Sequence, residues 1–599
     1  MRSLIKLYNL LDSSQRRRLL ILQLLVIFMS CLEVLSVLAI GPFMALLGNM
    51  NSIQTTGILN ATFIYFGFSS NKEFIIFFGA LVLAVMVFSA CFSLYTIKVL
   101  YHFGSSIGGS ISNRLFKHFL FQPWLFHSKH SSSSLIHKAI NESQRLTFAI
   151  IHQALTFNAK ASIALLMSFA VIIYDPIISL TGLAIFSSSY FLIYKFSESH
   201  LNNASQSLAE DQEVRLKTAS ESFGGIQNII LSRTQSFFLH TFSNSTDKYY
   251  HSWGNSQVLS ITPKYLLEVL AMGSIISLVL FLFLSGNENL NVILPTLSVF
   301  ALAGYKILPA LQTAYYSFSI ITANISAFEN LELDLINSSK TDNEYLNIKS
   351  QSNQKIEFKN KITFENISFT YPGTSKSVLN KISFEIMAEK TFGIVGPSGA
   401  GKSTMIDLIL GLINPTSGKF IADETPISKS NIDQWQKNIG FVPQSIFLSD
   451  STIKENIAFG VDAHFIDQQK VIEAANLANV MDFVSSLPDG INTVVGERGI
   501  QLSGGQIQRI GIARALFNNP KVLIFDEATS SLDGISEKLI MEAISKFSGQ
   551  KTIIIVAHRL ETVKNCDSIF LLENGEIIDE GSYDELLNRS LLFQEMTGV

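Results

Sequence analysis

Residues 396–404 have the composition of a loop that binds phosphate. They read Gly396-Pro397-Ser398-Gly399-Ala400-Gly401-Lys402-Ser403-Thr404, after an apolar stretch that predicts a strand ending at Val395. Glycines let backbone N–H groups close around phosphate oxygens, and the start of the predicted helix 405–412 adds partial positive charge. We expect Lys402 to pair with the β and γ phosphates of ATP and Ser403 to ligate Mg²⁺.

Two adjacent carboxylates complete this chemistry. The apolar run 522–525 predicts a strand, and Asp526 and Glu527 follow it directly. We expect Asp526 to enter the Mg²⁺ shell and Glu527 to act as the base or orienter for the attacking water. The alternative, a solvated turn, is disfavoured because the phosphate loop supplies the missing partner. The sequence therefore predicts an ATPase with ATP and Mg²⁺ as its ligands.

A second anion site is predicted near residue 503. The pentapeptide Leu502-Ser503-Gly504-Gly505-Gln506 precedes a predicted helix, 507–517, so its amides lie at a helix N-terminus, where anions bind. Four further motif positions occur in a fixed order around it: Tyr371, Gln444, the tripeptide Ser531-Leu532-Asp533, and His558.

In this order the motifs resemble those of the ATP-binding-cassette (ABC) superfamily, and the resemblance covers essentially the whole chain. It implies that Tyr371 stacks on adenine, that Gln444 senses Mg²⁺ and the membrane domain, and that His558 contacts the γ phosphate. An aromatic face, an amide and an imidazole suit these three tasks. The segment 495–499 resembles an exporter-specific stretch and favours export over import.

The pentapeptide decides the assembly that the resemblance implies. In the family this site closes over ATP held by the phosphate loop of a partner, so that two chains enclose two nucleotides. Because Glu527 and the pentapeptide are both intact, both sites of a twofold dimer would be competent. We therefore expect a homodimer.

These motifs must be positioned by two regions of different composition. Only 15% of residues are charged and the mean hydropathy is positive, which indicates a large membrane-embedded part. The predicted fold is an all-α membrane domain of six transmembrane helices with long cytoplasmic extensions (1–333), a polar linker (334–355) and an α/β P-loop ATPase domain (356–599). Each span needs about 20 apolar residues, and six stretches qualify: 19–47, 74–94, 155–174, 177–194, 265–284 and 292–320.

Lysine and arginine cluster before the first span and in the connections after the second and fourth, which predicts that both termini are cytoplasmic. Mixed apolar and charged stretches at 111–122 and 209–230 predict helices that extend beyond the lipid. Their apolar tips, 123–126 and 223–226, are expected to dock on the ATPase domain. A net charge of −4 without a basic arm argues against a nucleic-acid partner.

Charges inside the spans indicate where a substrate would bind. Lys306 lies about 21 Å along the sixth span from its outer end, at about 1.5 Å per residue. Lys264 and Glu268 lie at the start of the fifth span and Glu33 in the first. Lys264 could instead reach the membrane interface. A cavity lined by Lys306, with or without Lys264, would suit an anionic group such as a diphosphate.

The membrane half resembles, more loosely, the flippases of lipid-linked oligosaccharides used in bacterial protein glycosylation. The resemblance lies in residues 33–43, 263–268 and 305–309, where this chain has lysines in place of the arginines of those proteins. Lysine keeps the charge without the bidentate fork. The resemblance implies flipping of an amphipathic, lipid-linked anionic substrate across the lipid bilayer of the bacterial cytoplasmic membrane by a multi-pass protein.

Other functions remain open on the sequence. A drug, lipid or peptide exporter would share this architecture, although no cysteine-protease domain precedes the first span. An ATP-gated channel or channel regulator would need a conductive path, and no charged ring or filter motif is present. A soluble cassette ATPase would require that the six spans do not insert.

Overall fold

The computed structural model describes residues 2–48, 61, 63–68, 70–174, 176–284, 290–351, 355–496, 499–527, 534–557 and 559–597. The chain divides into two compact units. The first contains Met1–Gln122 and His127–Asn343, and the second contains Pro123–Phe126 and Glu344–Val599.

The first unit is helical, as its apolar composition predicts. Its α-helices are Arg2–Asn9, Ser13–Leu38, Ile40–Gly48, Asn71–Leu120, Ser132–Ile136, Ser143–Arg145, His152–Tyr174, Pro176–Gly224, Ile226–Ser232, Gln235–Leu284 and Leu290–Gln351. Two short segments, His137–Glu142 and Leu146–Ile151, have π-helical hydrogen bonding. The helix Leu290–Gln351 continues through most of the predicted linker, whose bounds remain a prediction.

Three segments among the described residues are long and apolar enough to cross a membrane: Ser13–Met44, Asn71–Leu120 and Ser132–Tyr174. They contain the second and third predicted spans in full and the first predicted span, 19–47, as far as Met44. The other three predicted spans lie on the helices that begin at Pro176, Gln235 and Leu290, where many side chains are outside the described set. The predicted count of six is therefore not confirmed and stays a prediction.

Most of each stretch that is predicted to extend beyond the lipid lies on a long helix, and its position outside the lipid stays a prediction. The helix Asn71–Leu120 has 50 residues, about 75 Å at 1.5 Å per residue, which exceeds the roughly 30 Å of a bilayer core. The helix Pro176–Gly224 has 49 residues. The first predicted tip, Pro123–Phe126, belongs to the second unit, and its Leu125 packs against the hydrophobic core of that unit. Phe223 and Ile226 of the other tip are exposed in the single chain, and their docking stays a prediction.

The second unit contains two sheets. Its strands are β1 (Lys361–Thr370), β2 (Ser377–Met387), β3 (Thr391–Val395), β4 (Ser417–Ala422), β5 (Thr425–Pro426), β6 (Ile439–Val442), β7 (Val522–Asp526), β8 (Thr552–Val556), β9 (Ser568–Glu573) and β10 (Glu576–Gly581). The first sheet is antiparallel, in the order β2-β1-β4-β5. The second has the order β10-β9-β3-β8-β7-β6, parallel except for β10.

Helices cover this mostly parallel sheet. They are Lys402–Ile409, Ile432–Gln436, Ile453–Ile457, Gln468–Leu477, Met481–Val484, Gly504–Leu516, Gly534–Ser545, Tyr583–Arg589 and Leu591–Thr597, and Trp124–His127 begins within the same unit. Short 3₁₀ turns occur at Ala463–Phe465, Gly490–Asn492 and Leu560–Val563.

Successive side chains of each strand point to opposite faces of the sheet, and every residue of β3 and β8 is buried, so both faces are covered. Ile394 and Ile524 belong to one hydrophobic cluster, whereas their neighbours Val395 and Phe525 belong to the other. This explains why β3, β7 and β8 read as uninterrupted apolar runs. The sheet thereby brings the carboxyl ends of β3 and β7, with β8 between them, to one edge.

Candidate functional site

The phosphate loop begins directly after β3 and depends on glycine at its first position. Gly396 has φ 153°, and a Cβ atom there would lie 2.2 Å from the backbone oxygen of Leu572. The cause is the pairing of Val395 with Leu571 on β9, which brings that strand alongside the loop. Gly401, with φ 104°, ends the loop and precedes the helix Lys402–Ile409. Only glycine adopts this path without strain.

Lys402 is the predicted phosphate-binding cation, and the loop holds it in place. Its Nζ donates hydrogen bonds of 2.8 Å to the oxygen of Gly396 and 3.0 Å to that of Pro397. Burial lowers the pKa of Lys402, and the charges of Glu527 and Asp526 oppose that shift. The ammonium is thus desolvated and close to both carboxylates, and among the described residues its hydrogen bonds go to neutral carbonyl groups. Phosphate oxygens can replace such partners.

Glu527 and Gln444, predicted from separate motifs, are hydrogen bonded to each other. The Gln444 Nε2 donates to Glu527 Oε2 at 2.7 Å. Glu527 has φ 49°, an uncommon backbone conformation for a residue other than glycine, and its N–H donates to the oxygen of Val556 on β8. Strained backbone of this kind concentrates at functional sites. The geometry fits a carboxylate that is aimed by its backbone and held by an amide.

Tyr371 lies next to the first turn of the helix that follows the phosphate loop. Its hydroxyl is 3.2 Å from Thr404 Oγ1, and its ring packs edge-on against Phe369 at 4.9 Å. The ring is half-buried. Stacking on adenine remains a prediction, and the position beside Thr404 keeps the aromatic side chain near the phosphate loop.

The pentapeptide is at the N-terminus of the helix Gly504–Leu516, as predicted, although the helix begins three residues earlier than expected. Ser503 is its N-cap: its hydroxyl accepts from the N–H of Gln506, and the side chain of Gln506 accepts from the N–H of Ser503 at 2.8 Å. This reciprocal box stabilises a helix start. The N–H groups of Gly504 and Gly505 precede the first hydrogen bond within the helix, and this is the place where an anion can bind.

Arg514 fixes the pentapeptide helix at its other end. Its guanidinium donates to the backbone oxygens of Asn456 at 2.8 Å and Phe447 at 2.7 Å, and stacks 4.6 Å from the ring centroid of Phe459. Phe447 lies three residues after Gln444. The sequence analysis did not single out Arg514, and the periodicity of its helix gives no signal for these long-range contacts.

Asp407 is a further residue that the sequence analysis missed. Burial, together with the charge of Asp526, raises the pKa of the Asp407 carboxyl to about 6, while a hydrogen bond from Trp124 acts in the opposite direction. Asp407 lies on the helix after the phosphate loop, and Trp124 lies on the segment Pro123–Phe126 of the same unit. A lone acid in the run Met405-Ile406-Asp407-Leu408 was the available signal.

The residues present fit Mg²⁺ and a triphosphate. The Ser403 hydroxyl, the Asp526 carboxylate and the Gln444 amide supply oxygen atoms, which Mg²⁺ prefers, and phosphate oxygens usually complete its shell. The loop of residues 396–401 supplies backbone N–H groups, and Ser398, Gly399 and Ala400 form its turn. His558, residues 531–533 and residues 497–498 lie outside the described residues.

The predicted substrate lysines behave differently from each other. Lys306 Nζ is 3.3 Å from Glu33 Oε2, so an ion pair joins the helix Leu290–Gln351 to the helix Ser13–Leu38. Lys264 is exposed, and its Nζ lies 5.7 Å from the ring centroid of Tyr265. The backbone oxygen of Lys264 accepts from the Gln312 side chain at 3.4 Å. Lys306 is therefore paired with Glu33, whereas the ammonium of Lys264 lies near the ring of Tyr265.

Comparison with known proteins relates both regions to one group of transporters. Residues 379–530 match the ABC transporter family, and residues 19–303 match the ABC transporter transmembrane region. A solved bacterial Atm1-family ABC exporter with ATP bound aligns with a TM-score of 0.74 and 22% identity, over 98% of this chain and 99% of that chain. At this identity the likeness concerns the fold.

Two curated relatives are more similar over a shorter part. The leukotoxin translocation ATP-binding protein LktB of Mannheimia haemolytica is 45% identical over 234 residues, 39% of this chain. ABC transporter B family member 13 of Arabidopsis thaliana is 44% identical over 229 residues, 38% of this chain. The matches span only 33% and 18% of the lengths of those relatives. The ABC transporter match at residues 379–530 includes the phosphate loop, Gln444, the pentapeptide and Glu527.

Proposed function

We propose that this ABC exporter chain couples ATP hydrolysis to the movement of an amphipathic anionic lipid, of the lipid-linked oligosaccharide type, to the outer leaflet of a bacterial cytoplasmic membrane. The proposal of an anionic substrate rests on Lys306, which lies among apolar helices. The side chain of Lys306 is still 37% exposed. Charges in membrane spans are costly and usually mark a substrate path. Both termini would lie in the cytoplasm.

ATP would be cut between two copies of the chain. Lys402 and the loop N–H groups would hold the phosphates, and Ser403, Asp526 and Gln444 would hold Mg²⁺, which neutralises charge on the transferred phosphoryl group. Glu527, held by Gln444 at 2.7 Å, would orient the attacking water. His558 would contact the γ phosphate and Tyr371 would stack on adenine. The pentapeptide would close over the nucleotide of the partner chain.

A second candidate substrate is a secreted polypeptide. It is favoured by the 45% identity to a protein named for leukotoxin translocation. That match covers 39% of this chain, and an ATPase domain can serve exporters with different cargoes. The Glu33–Lys306 ion pair favours the anionic lipid, since a polypeptide has no general need for a cation at this depth.

Reconstituted liposomes test the proposal. The wild-type chain should move a fluorescent undecaprenyl-diphosphate-linked glycan to the opposite leaflet when Mg²⁺ and ATP are supplied, and Glu527→Gln should retain ATP binding but lose transport. Equal movement by both proteins would overturn coupled transport. ATP-dependent uptake of a polypeptide, with the glycan lipid left in place, would instead support the second candidate.

A further inference from the structure

Glu33 and Lys306 form an ion pair, here called the membrane ion pair, from residues 273 positions apart in sequence. The Nζ of Lys306 donates to Glu33 Oε2 at 3.3 Å, and the hydroxyl of Ser93 donates to Glu33 Oε1 at 3.1 Å. The Glu33 carboxylate therefore has a partner on each oxygen, one charged and one neutral, from two other helices.

The two members of the pair differ in exposure. The Glu33 side chain is 13% exposed, whereas the Lys306 side chain is 37% exposed. An ammonium has three N–H donors, and the hydrogen bonds of the described residues use one on Lys306. A second anion could therefore approach the lysine from its exposed side while the carboxylate stays enclosed.

The membrane ion pair lies among apolar side chains, where an uncompensated charge is costly. Val34 and Val37 from the first span, and Ala303 and Ile307 from the helix Leu290–Gln351, belong to an apolar cluster within one turn of the pair. In such surroundings an unpaired ammonium is strongly disfavoured, and removing one member of a pair leaves the other uncompensated. Glu33 thus keeps Lys306 neutralised when no substrate is bound.

We propose that Glu33 is a built-in counter-ion that a substrate anion displaces from Lys306, so that the pair selects doubly charged head groups over singly charged ones. This inference rests on the proposed function. A displaced Glu33 keeps the Ser93 hydrogen bond, so opening the pair does not leave the carboxylate without a partner. A diphosphate competes with the carboxylate more strongly than a monoanion because its attraction to the ammonium is larger.

The test uses the full chain in nanodiscs and measures binding of three ligands: an undecaprenyl-diphosphate-linked sugar, which is doubly charged, an undecaprenyl-monophosphate-linked sugar, whose phosphodiester is singly charged, and inorganic pyrophosphate. Glu33→Gln should bind both lipids about tenfold more tightly and lose most of its preference for the diphosphate, because the competing charge is gone. Lys306→Gln should weaken diphosphate binding about tenfold. In the Lys306→Gln background, Glu33→Gln should give a much smaller gain than in the wild-type chain, since Glu33 acts mainly through Lys306.

Other results would overturn the counter-ion role. An unchanged preference in Glu33→Gln would do so, and so would an equal Glu33→Gln effect in the presence and absence of Lys306. Glu33→Asp keeps the charge on a shorter side chain and should give a preference for the diphosphate between those of wild type and Glu33→Gln. If Glu33→Asp and Glu33→Gln both show the preference of the wild-type chain, the proposal is contradicted. If the wild-type chain binds neither lipid, the proposed function itself fails. Binding of pyrophosphate as tight as the lipid would show that the head group alone is recognised.

Discussion

Two lysines in this chain are predicted to receive phosphate, and their surroundings keep them ready in different ways. Lys402 is 6% exposed and is hydrogen bonded to neutral carbonyl oxygens of its own loop, within residues 396–402. Lys306 is neutralised by a carboxylate from another helix. A cation with neutral partners attracts any suitable anion, whereas a cation with a charged partner responds only to an anion that competes with that partner.

The largest expected effect concerns Lys402. Replacing it with alanine should lower ATP hydrolysis at least about a hundredfold, because no other cation in the loop neutralises the phosphates. Phosphate release in detergent or liposomes measures this loss. Lys390→Ala, which removes an exposed lysine paired with Asp567 just before β3, is the control and should retain hydrolysis. If Lys402→Ala retained hydrolysis, Lys402 would not be the cation that binds the phosphates of ATP.

Lys306→Ala should lower transport about tenfold and leave basal hydrolysis near wild type, because the ion pair belongs to the first unit and the phosphate loop belongs to the second. Lipid movement and phosphate release, measured on the same liposomes, separate the two effects. Lys195→Ala, which removes an exposed lysine of the helix Pro176–Gly224, should change neither. Equal losses of transport and hydrolysis would make Lys306 a structural residue.

Gly396→Ala should destabilise the nucleotide-binding unit by about 1–3 kcal/mol, since a Cβ atom would lie 2.2 Å from the oxygen of Leu572. We expect a fall of several degrees in melting temperature and weaker ATP binding. Gly399→Ala is the matched control: φ is also positive, at 81°, but a Cβ atom would meet nothing within 4 Å. Equal effects of both changes would assign the loss to backbone conformation and not to the contact with β9.

The smallest expected effect concerns Asp407. Its pKa rises from 3.8 to about 6 in the folded chain, so the folded state binds more protons than the unfolded state between these values. Stability therefore falls as pH rises through this window and is level above it. Asp407→Asn should raise the melting temperature by a degree or two at pH 7.5, and by less at pH 5. The melting temperatures of the wild-type chain and the variant are measured without nucleotide or Mg²⁺.

Two results would argue against this account of Asp407: a difference that is constant with pH, or a larger gain at pH 5. Glu473→Gln, at an exposed position on the helix Gln468–Leu477, provides the comparison and should show no such trend. Asparagine keeps an oxygen that can accept from Trp124, so the test isolates the charge.

Much of the ATP site could be predicted because its parts are adjacent in sequence. The strand that ends at Val395 was predicted correctly, and the strand predicted to end at residue 525 ends one residue later, at Asp526. The helices were predicted to begin at 405 and 507, whereas they begin at Lys402 and Gly504. Apolar periodicity reports only residues that face the core, and the first turns of these helices carry polar residues or glycine that can face a ligand.

The membrane ion pair shows why the rest could not be predicted. Glu33 and Lys306 were each recognisable as charges in apolar spans, but their pairing depends on how far each helix is rotated about its axis. That rotation is set by packing among several helices, including Met167 and Val171 of a third helix. The contact between Asp407 and Trp124 could not be predicted either, because the two residues are far apart in sequence and only the packing of the chain brings them together.

The hydrogen bonds of Lys402 also have a kinetic consequence. Because its ammonium donates to the oxygens of both Gly396 and Pro397, hydrogen bonds within the loop already hold its path, and phosphate oxygens can replace these carbonyl partners without refolding the backbone. The loop does not have to search for its shape between cycles. We expect the replacement of ADP by ATP to be limited by the departure of ADP, so that its rate is independent of the ATP concentration once ATP is in excess.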